Sequence, residues 1–206
     1  MTDTLPVEIL VEEFSAELAL RLLLPRIVPG VPFEIRRFQG KQDLLKKLPA
    51  RLAGYATWPG VDVARIVVLV DRDDEDCRAL RDRLDSEAAK AGFKPTGPER
   101  TVVNRIAVEE LEAWFFGDVD AIVAAYPRVP VSTGSKAVFR DPDQIQGGTA
   151  EAFERLLQRH GYHKAGLAKA SAAQDVATYM NVERNASASF QAFRDGVRRL
   201  AGMGGD

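Results

Sequence analysis

The chain has 206 residues, the length of one large domain or of a domain with an added subdomain. Apolar residues make up 46% and charged residues 28%, which predicts a folded core and excludes an intrinsically disordered chain. The net charge of -2 gives no overall attraction for nucleic acid, so such a partner would need a local basic patch.

Strands and helices alternate along the first part of the chain. The predicted elements are a strand at 7–11, a helix at 15–26 with Ser15 as its N-cap, a strand at 33–38, a helix at 41–56 with a break near Pro49, a strand at 65–70, a helix at 77–91, a strand at 101–107 and a helix at 108–116. The run RIVVLV (65–70) is continuous and β-branched, which is typical of a parallel strand covered on both faces. The order predicts an α/β protein with a parallel sheet and helices on both of its faces.

The amino-acid composition changes after residue 125. Residues 126–148 are rich in Pro, Gly, Ser and charge, which predicts an irregular segment. Three helices are predicted beyond it, at 149–160, at 172–180 with Ser171 and Gln174 as a capping box, and at 188–201. We therefore expect an α/β core at 1–125 and, at 126–206, an irregular excursion and a helical C-terminal extension packed on that core.

Two predicted strands end in acidic residues. Glu12 and Glu13 follow the first strand, and Asp71 and Asp73 follow the strand at 65–70. The carboxyl ends of parallel strands form the usual ligand site of such sheets. Neighbouring carboxylates raise each other's pKa unless a cation neutralises them, and oxygen ligands suit Mg²⁺ or Mn²⁺. The pattern predicts a divalent-metal site at this edge.

A further acid follows the fourth strand. Val108, Leu111 and Phe115 form an apolar stripe at helical spacing, and Glu112 lies on its edge. A charge beside an apolar stripe needs a partner or a metal ion, so Glu112 joins the candidate ligands. Glu110 is expected to face solvent.

Acids after strands also have an ordinary structural role. Asp74, Glu75 and Asp76 suit an N-cap and a first helical turn, where negative charge complements the helix dipole. The metal interpretation is favoured for Asp71 and Asp73, and Asp71 ends the most apolar strand, which is a costly place for a lone charge. For Glu12, both interpretations stay open.

Three motifs in this order resemble the TOPRIM (topoisomerase-primase) domain: VEEFSAE (11–17), VDRDD (70–74) and ELEAWFFGD (110–118). More closely, the chain resembles a bacterial family of small TOPRIM-like proteins related to the TOPRIM half of the OLD (overcoming lysogenization defect) nucleases. The resemblance implies a TOPRIM-like core and Mg²⁺- or Mn²⁺-dependent cleavage of phosphodiesters. It also implies an ATPase partner and a role in phage defence.

The resemblance assigns roles to individual residues. Glu12 would be a metal ligand or the general acid/base, and Asp71 and Asp73 would hold the metal ion. Glu112 would support a second metal ion, and Lys164 would be the catalytic lysine. If active, the protein would hydrolyse phosphodiesters with metal-activated water.

The chain departs from the family pattern at two positions. The family's glycine after the first acid is Glu13 here, and the acid expected four residues after Glu12 is Ala16, with Glu17 one place later. These departures favour an alternative, a non-catalytic module that binds metal or nucleic acid and regulates a partner. A phospho-receiver domain is a third hypothesis, but it requires a fifth strand that the sequence does not predict.

A basic cluster follows the second strand. It consists of Arg36, Arg37, Lys41, Lys46, Lys47 and Arg51. This cluster is a candidate contact for a nucleic-acid backbone. The alternative is a solvated helix face whose charge is balanced by acids elsewhere.

The sequence predicts a cytoplasmic protein that does not enter a membrane. The single cysteine, Cys77, excludes a disulfide framework and is typical of a reducing compartment. No run approaches the about 18 apolar residues that a membrane span needs. The opening MTDTLPVEIL lacks the basic start and cleavage site of a signal peptide.

Overall fold

The computed structural model describes residues 6–58, 64–108 and 110–203. Its centre is a sheet of four parallel strands in the order β2-β1-β3-β4. The strands are β1 (Val7–Val11), β2 (Phe33–Arg37), β3 (Arg65–Asp71) and β4 (Val102–Ala107). The central strands β1 and β3 are buried almost throughout, as a two-sided cover requires.

Helices cover both faces of the sheet. They are α1 (Phe14–Ile27), α2 (Lys41–Tyr55), α3 (Cys77–Lys90), α4 (Glu112–Phe116), α5 (Val119–Ala125), α6 (Thr149–Arg159), α7 (Lys169–Tyr179) and α8 (Ala188–Leu200). Short 3₁₀ turns occupy Val131–Ser135, Ala137–Phe139 and Pro142–Gln144. The predicted α/β class, parallel sheet and C-terminal helices are confirmed. Within the described ranges, no helix is long and apolar enough to cross a membrane.

Each face of the sheet has its own apolar cluster. Residues of α2 and α3, such as Leu48 and Leu84, pack against one face. On the other face α1, α7 and α8 lie together, and one continuous cluster joins Leu20, Trp114 and Phe190. The helices beyond residue 125 thus share a hydrophobic core with the sheet.

Several local predictions were wrong. The helix predicted at 108–116 spans only Glu112–Phe116. The N-cap of α1 is Glu13, whose carboxylate accepts a hydrogen bond from the hydroxyl of Ser15. Helix α2 continues through Pro49, which lies on its exposed side. Proline lacks the backbone N–H of a helical hydrogen bond, and burial of the leucines on the opposite side compensates for this loss. Helix α7 begins at Lys169, so Ser171 lies within it and is not its N-cap.

Gly117, at the end of α4, is required by close packing. A Cβ atom there would lie 2.0 Å from Oδ1 of the fully buried Asn185, which also bonds the carbonyl oxygen of Trp114. We expect Gly117→Ala to lower the free energy of unfolding by about 1–3 kcal/mol, measured by urea denaturation. Gly54→Ala is the control: its Cβ would meet nothing within 4 Å, and we expect a gain of about 0.5–1 kcal/mol. Equal stability of the two variants would contradict this account.

Candidate functional site

Three acidic side chains gather at the carboxyl edge of the sheet. Glu12 follows β1, Asp71 ends β3, and Glu112 begins α4 shortly after β4. The backbone N–H of Asp71 donates a hydrogen bond to Oε1 of Glu12 at 2.7 Å. This bond ties the end of β1 to the end of β3, the neighbouring strand, and it fixes one oxygen of the Glu12 carboxylate.

The carboxylates influence one another's protonation. Burial raises the pKa of Glu12 to about 7, although the hydrogen bond from Asp71 opposes the change. Burial also raises the pKa of Asp71 well above its ordinary value, and the negative charges of Glu12, Glu112, Glu13 and Glu110 raise it further. These five residues, Glu12, Glu13, Asp71, Glu110 and Glu112, are the acidic cluster.

Glu112 is the most deeply buried member of the acidic cluster. Glu112 is only 2% exposed, and its Oε2 atom has no hydrogen-bond partner among the described residues. Burial raises the pKa of Glu112 to about 7. A buried carboxylate oxygen without a partner is destabilising, and a catalytic role or a bound water or ion is among the explanations for its retention.

Lys169, at the start of α7, is a cation that contacts the acidic cluster. Its Nζ atom lies 3.0 Å from Oε1 of Glu110, whose Oε2 accepts a hydrogen bond from the backbone N–H of Ala150. Burial lowers the pKa of Lys169, but Glu112 and Glu110 outweigh this effect, and the net shift is upward. The expectation that Glu110 faces solvent was wrong, because this residue links the sheet edge to α6 and α7.

The structure places the predicted Lys164 elsewhere. Lys164 is exposed and forms no ion pair with the residues that the structure describes. Local sequence offered no signal for Lys169, since the residue lies 59 positions from Glu110 along the chain. Only the packing of α7 against α1 and α5 reveals it.

Asp73 and Lys41, predicted for two different roles, contact each other. Lys41 Nζ lies 3.2 Å from Oδ2 of Asp73 and 2.8 Å from Oε1 of Glu75, and it donates to the carbonyl oxygen of Arg72 at 2.9 Å. Lys41 is buried, so it is not part of an exposed surface for nucleic acid. Asp73 influences the pKa of Glu12, but its charge is balanced by Lys41.

Acids balance most of the predicted basic cluster. The ion pairs are Arg36 with Glu8, Arg37 with Glu17, and Lys47 with Asp43. Lys46 is exposed and forms no ion pair with described residues. Glu17, the acid one place after Ala16, also pairs with Arg21, on the surface of α1. The cluster resembles a solvated, charge-balanced face.

The donors of the acidic cluster suit a hard divalent cation. Among the described residues, no three Asp, Glu, His or Cys side chains are grouped so that they could hold a metal ion. Mg²⁺, however, is commonly bound through one or two carboxylates, with water and substrate phosphate completing its coordination. The unpartnered Oε2 of Glu112 and the carboxylate of Asp71 are the donors that fit this role.

Fold and site together define a parallel α/β protein with buried acids and two lysines, Lys41 and Lys169, at the carboxyl edge of its sheet. A family model, that of a domain of unknown function (DUF4276), matches residues 7–198, which include the sheet, the acidic cluster and most of α8. The chain therefore belongs to the DUF4276 family. No curated protein and no solved structure matches it.

Proposed function

We propose that the protein is a Mg²⁺- or Mn²⁺-dependent enzyme that cleaves phosphodiesters, a nuclease of the TOPRIM-like kind. The observation that carries the proposal is the acidic cluster, in which buried carboxylates raise one another's pKa and Oε2 of Glu112 has no partner. Such a group of acids is costly without a cation, and its position matches the usual site of parallel sheets. The resemblance to OLD-family TOPRIM domains suggests the same chemistry.

The residues of the acidic cluster suit distinct roles. A divalent ion held by Asp71 and Glu112 would polarise the scissile phosphate and lower the pKa of an attacking water. Glu12, with a pKa of about 7, is suited to accept a proton near neutral pH. Its Oε1 atom is fixed by the Asp71 N–H, which orients the carboxylate. Lys169 provides positive charge beside the negative charge that develops on the phosphate.

The second candidate is a non-catalytic module that binds metal or nucleic acid and regulates a partner. Two observations favour it. Ala16 supplies no carboxylate where the TOPRIM-like pattern has an acid, and Lys41 neutralises Asp73. An ATPase partner and a role in phage defence would suit either candidate. Metal-dependent cleavage that disappears when Asp71 is replaced would exclude this candidate.

Calorimetric titration of Mg²⁺ and Mn²⁺ at pH 8 tests the metal site. We expect binding to the wild-type protein and at least about a 10-fold loss of affinity in Asp71→Asn, since a negative ligand is removed. Asp74→Asn is the matched control, because Asp74 lies three residues away and is exposed. Similar affinities for the two variants would show that the ion binds somewhere other than the acidic cluster.

Proton release is a second readout of the same titration. Carboxyls with a pKa near 7 hold protons that a cation must displace, so the measured heat should depend on the ionisation enthalpy of the buffer. This dependence should be larger at pH 6.5 than at pH 8.5.

A further inference from the structure

A cavity of about 440 Å³ lies beside β4, between α3 and α8. Five arginines line it: Arg78, Arg81, Arg100, Arg105 and Arg199. None of the described residues that line this cavity is acidic. We name it the arginine pocket. It was not predicted, because its arginines are spread over more than a hundred positions and belong to three parts of the chain.

Arg105 forms the floor of the arginine pocket. It is 9% exposed; its Nε donates to the carbonyl oxygen of Ala192 at 2.7 Å, and its Nη1 donates to that of Asn104 at 2.9 Å. Helix α8 crosses it at Gly196, where an added Cβ would come within 2.7 Å of Nη2 of Arg105. Close packing and two carbonyl acceptors thus hold this guanidinium in one place.

The positive charges in the arginine pocket are only partly compensated by acids among the described residues. Burial and, to a smaller degree, the like charges of Arg81, Arg199 and Arg100 lower the pKa of Arg105 to about 10. Asp85 offsets part of this charge: its Oδ2 atom pairs with Nε of Arg81 at 3.8 Å, while its Oδ1 atom accepts a 2.6 Å hydrogen bond from Nδ2 of Asn104. Clustered guanidinium groups of this kind are suited to bind phosphate oxygens.

The arginine pocket adjoins the edge of the sheet that carries the acidic cluster. Ile106 and Val108, which line the pocket, flank Ala107, and Ala107 pairs with Asp71 in the register of β3 and β4. The carbonyl oxygen of Ala107 also accepts the backbone N–H of Arg72 at 2.9 Å. A polymer lying along the pocket would therefore run toward Asp71, one strand away.

We propose that the arginine pocket binds phosphate groups, and that its ligand is the backbone of a nucleic-acid strand whose neighbouring phosphate reaches the acidic cluster. The phosphate chemistry follows from the arginines alone, whereas its assignment to a substrate strand rests on the proposed function. Free polyphosphates share this chemistry, so the test separates the two sources.

The test measures binding without turnover. Fluorescence anisotropy follows a labelled single-stranded DNA oligonucleotide in excess EDTA, and calorimetry follows inorganic tripolyphosphate. Arg81→Gln/Arg199→Gln removes two exposed arginines of the pocket; Arg83→Gln/Arg140→Gln removes the same charge from exposed positions outside it. Thermal unfolding confirms that all variants are folded.

We expect the pocket variant to bind the oligonucleotide at least about 10-fold more weakly than the control variant does. The slope of log K against log salt should become shallower by about 0.7 for each phosphate that the pocket variant no longer neutralises. If the pocket variant and the control variant bind each ligand equally well, the arginine pocket is not a phosphate site. A pocket variant that binds only tripolyphosphate more weakly would keep the phosphate site but overturn its assignment to a nucleic-acid strand.

The outcome is independent of the proposed catalysis, because EDTA removes divalent ions. A protein without nuclease activity whose pocket variant fails to bind the oligonucleotide would support the arginine pocket and refute the enzyme. An active nuclease with unchanged oligonucleotide affinity in that variant would refute the arginine pocket alone.

Discussion

Replacing Asp71 by asparagine is expected to lower metal-dependent cleavage of a phosphodiester substrate by at least about 100-fold. This magnitude follows from metal sites in which even the groups that support a ligand contribute about 10- to 100-fold. Asparagine has nearly the same shape, and the backbone N–H that bonds Glu12 remains, so the change removes charge with little effect on structure. Cleavage of labelled single-stranded DNA and RNA with Mg²⁺ or Mn²⁺ is the measurement.

Two controls give this experiment its specificity. Asp74→Asn alters an exposed acid on the loop that follows Asp71 and should retain activity within about 2-fold, as surface changes usually do. EDTA should abolish activity of the wild-type protein. If Asp71→Asn cleaves as fast as Asp74→Asn, the acidic cluster is not the active site. If neither substrate is cleaved by the wild type although metal binds, the regulatory module becomes the better interpretation.

Replacing Glu112 by glutamine should stabilise the metal-free protein at alkaline pH. The pKa of Glu112 is about 7 in the folded protein, against 4.5 for an ordinary glutamate. A carboxyl with a raised pKa binds its proton more tightly when folded, so its stabilising contribution is complete below pH 4.5 and is lost as the pH rises through 7. Glutamine does not titrate, so Glu112→Gln should not lose this stability as the pH rises.

The expected size of this effect is large for a single site. The shift from 4.5 to about 7 corresponds to about 3 kcal/mol at most, because each pKa unit is about 1.4 kcal/mol. Relative to the wild type, Glu112→Gln should therefore gain up to about 3 kcal/mol between pH 5 and pH 8. Urea denaturation in EDTA at several pH values measures it.

Glu110 offers the matched control for Glu112. Both acids follow β4, but Glu110 is paired with Lys169 and with the backbone N–H of Ala150. Glu110→Gln should lower stability at pH 8, since it removes the charge that Lys169 contacts. If the free energy of unfolding of Glu112→Gln depends on pH as that of the wild type does, the pKa of Glu112 is not raised by burial in the folded protein. Added Mg²⁺ should stabilise the wild type more than Glu112→Gln.

The sequence was informative where the physical cause is local. The apolar run at 65–70 is long enough to identify a buried strand, and it predicted β3 almost to the residue. Asp76 caps α3 through the backbone N–H groups of Arg78 and Ala79, in the cap role that its position suggested. At Pro49 and Ser171 local rules failed, because packing of an apolar helix face outweighs a missing hydrogen bond or a capping preference.

The sequence by itself determined the parallel α/β order, the location of Glu12 and Asp71 at strand ends, and that of Glu112 on the helix after the fourth strand, because strand and helix positions are set by runs of neighbouring residues. Only the tertiary structure decided which charges meet. It paired Lys41 with Asp73, brought Lys169 rather than Lys164 to the acidic cluster, and assembled the arginine pocket from α3, β4 and α8. Contacts between residues far apart in the chain depend on how helices pack on the sheet, and no local pattern encodes them.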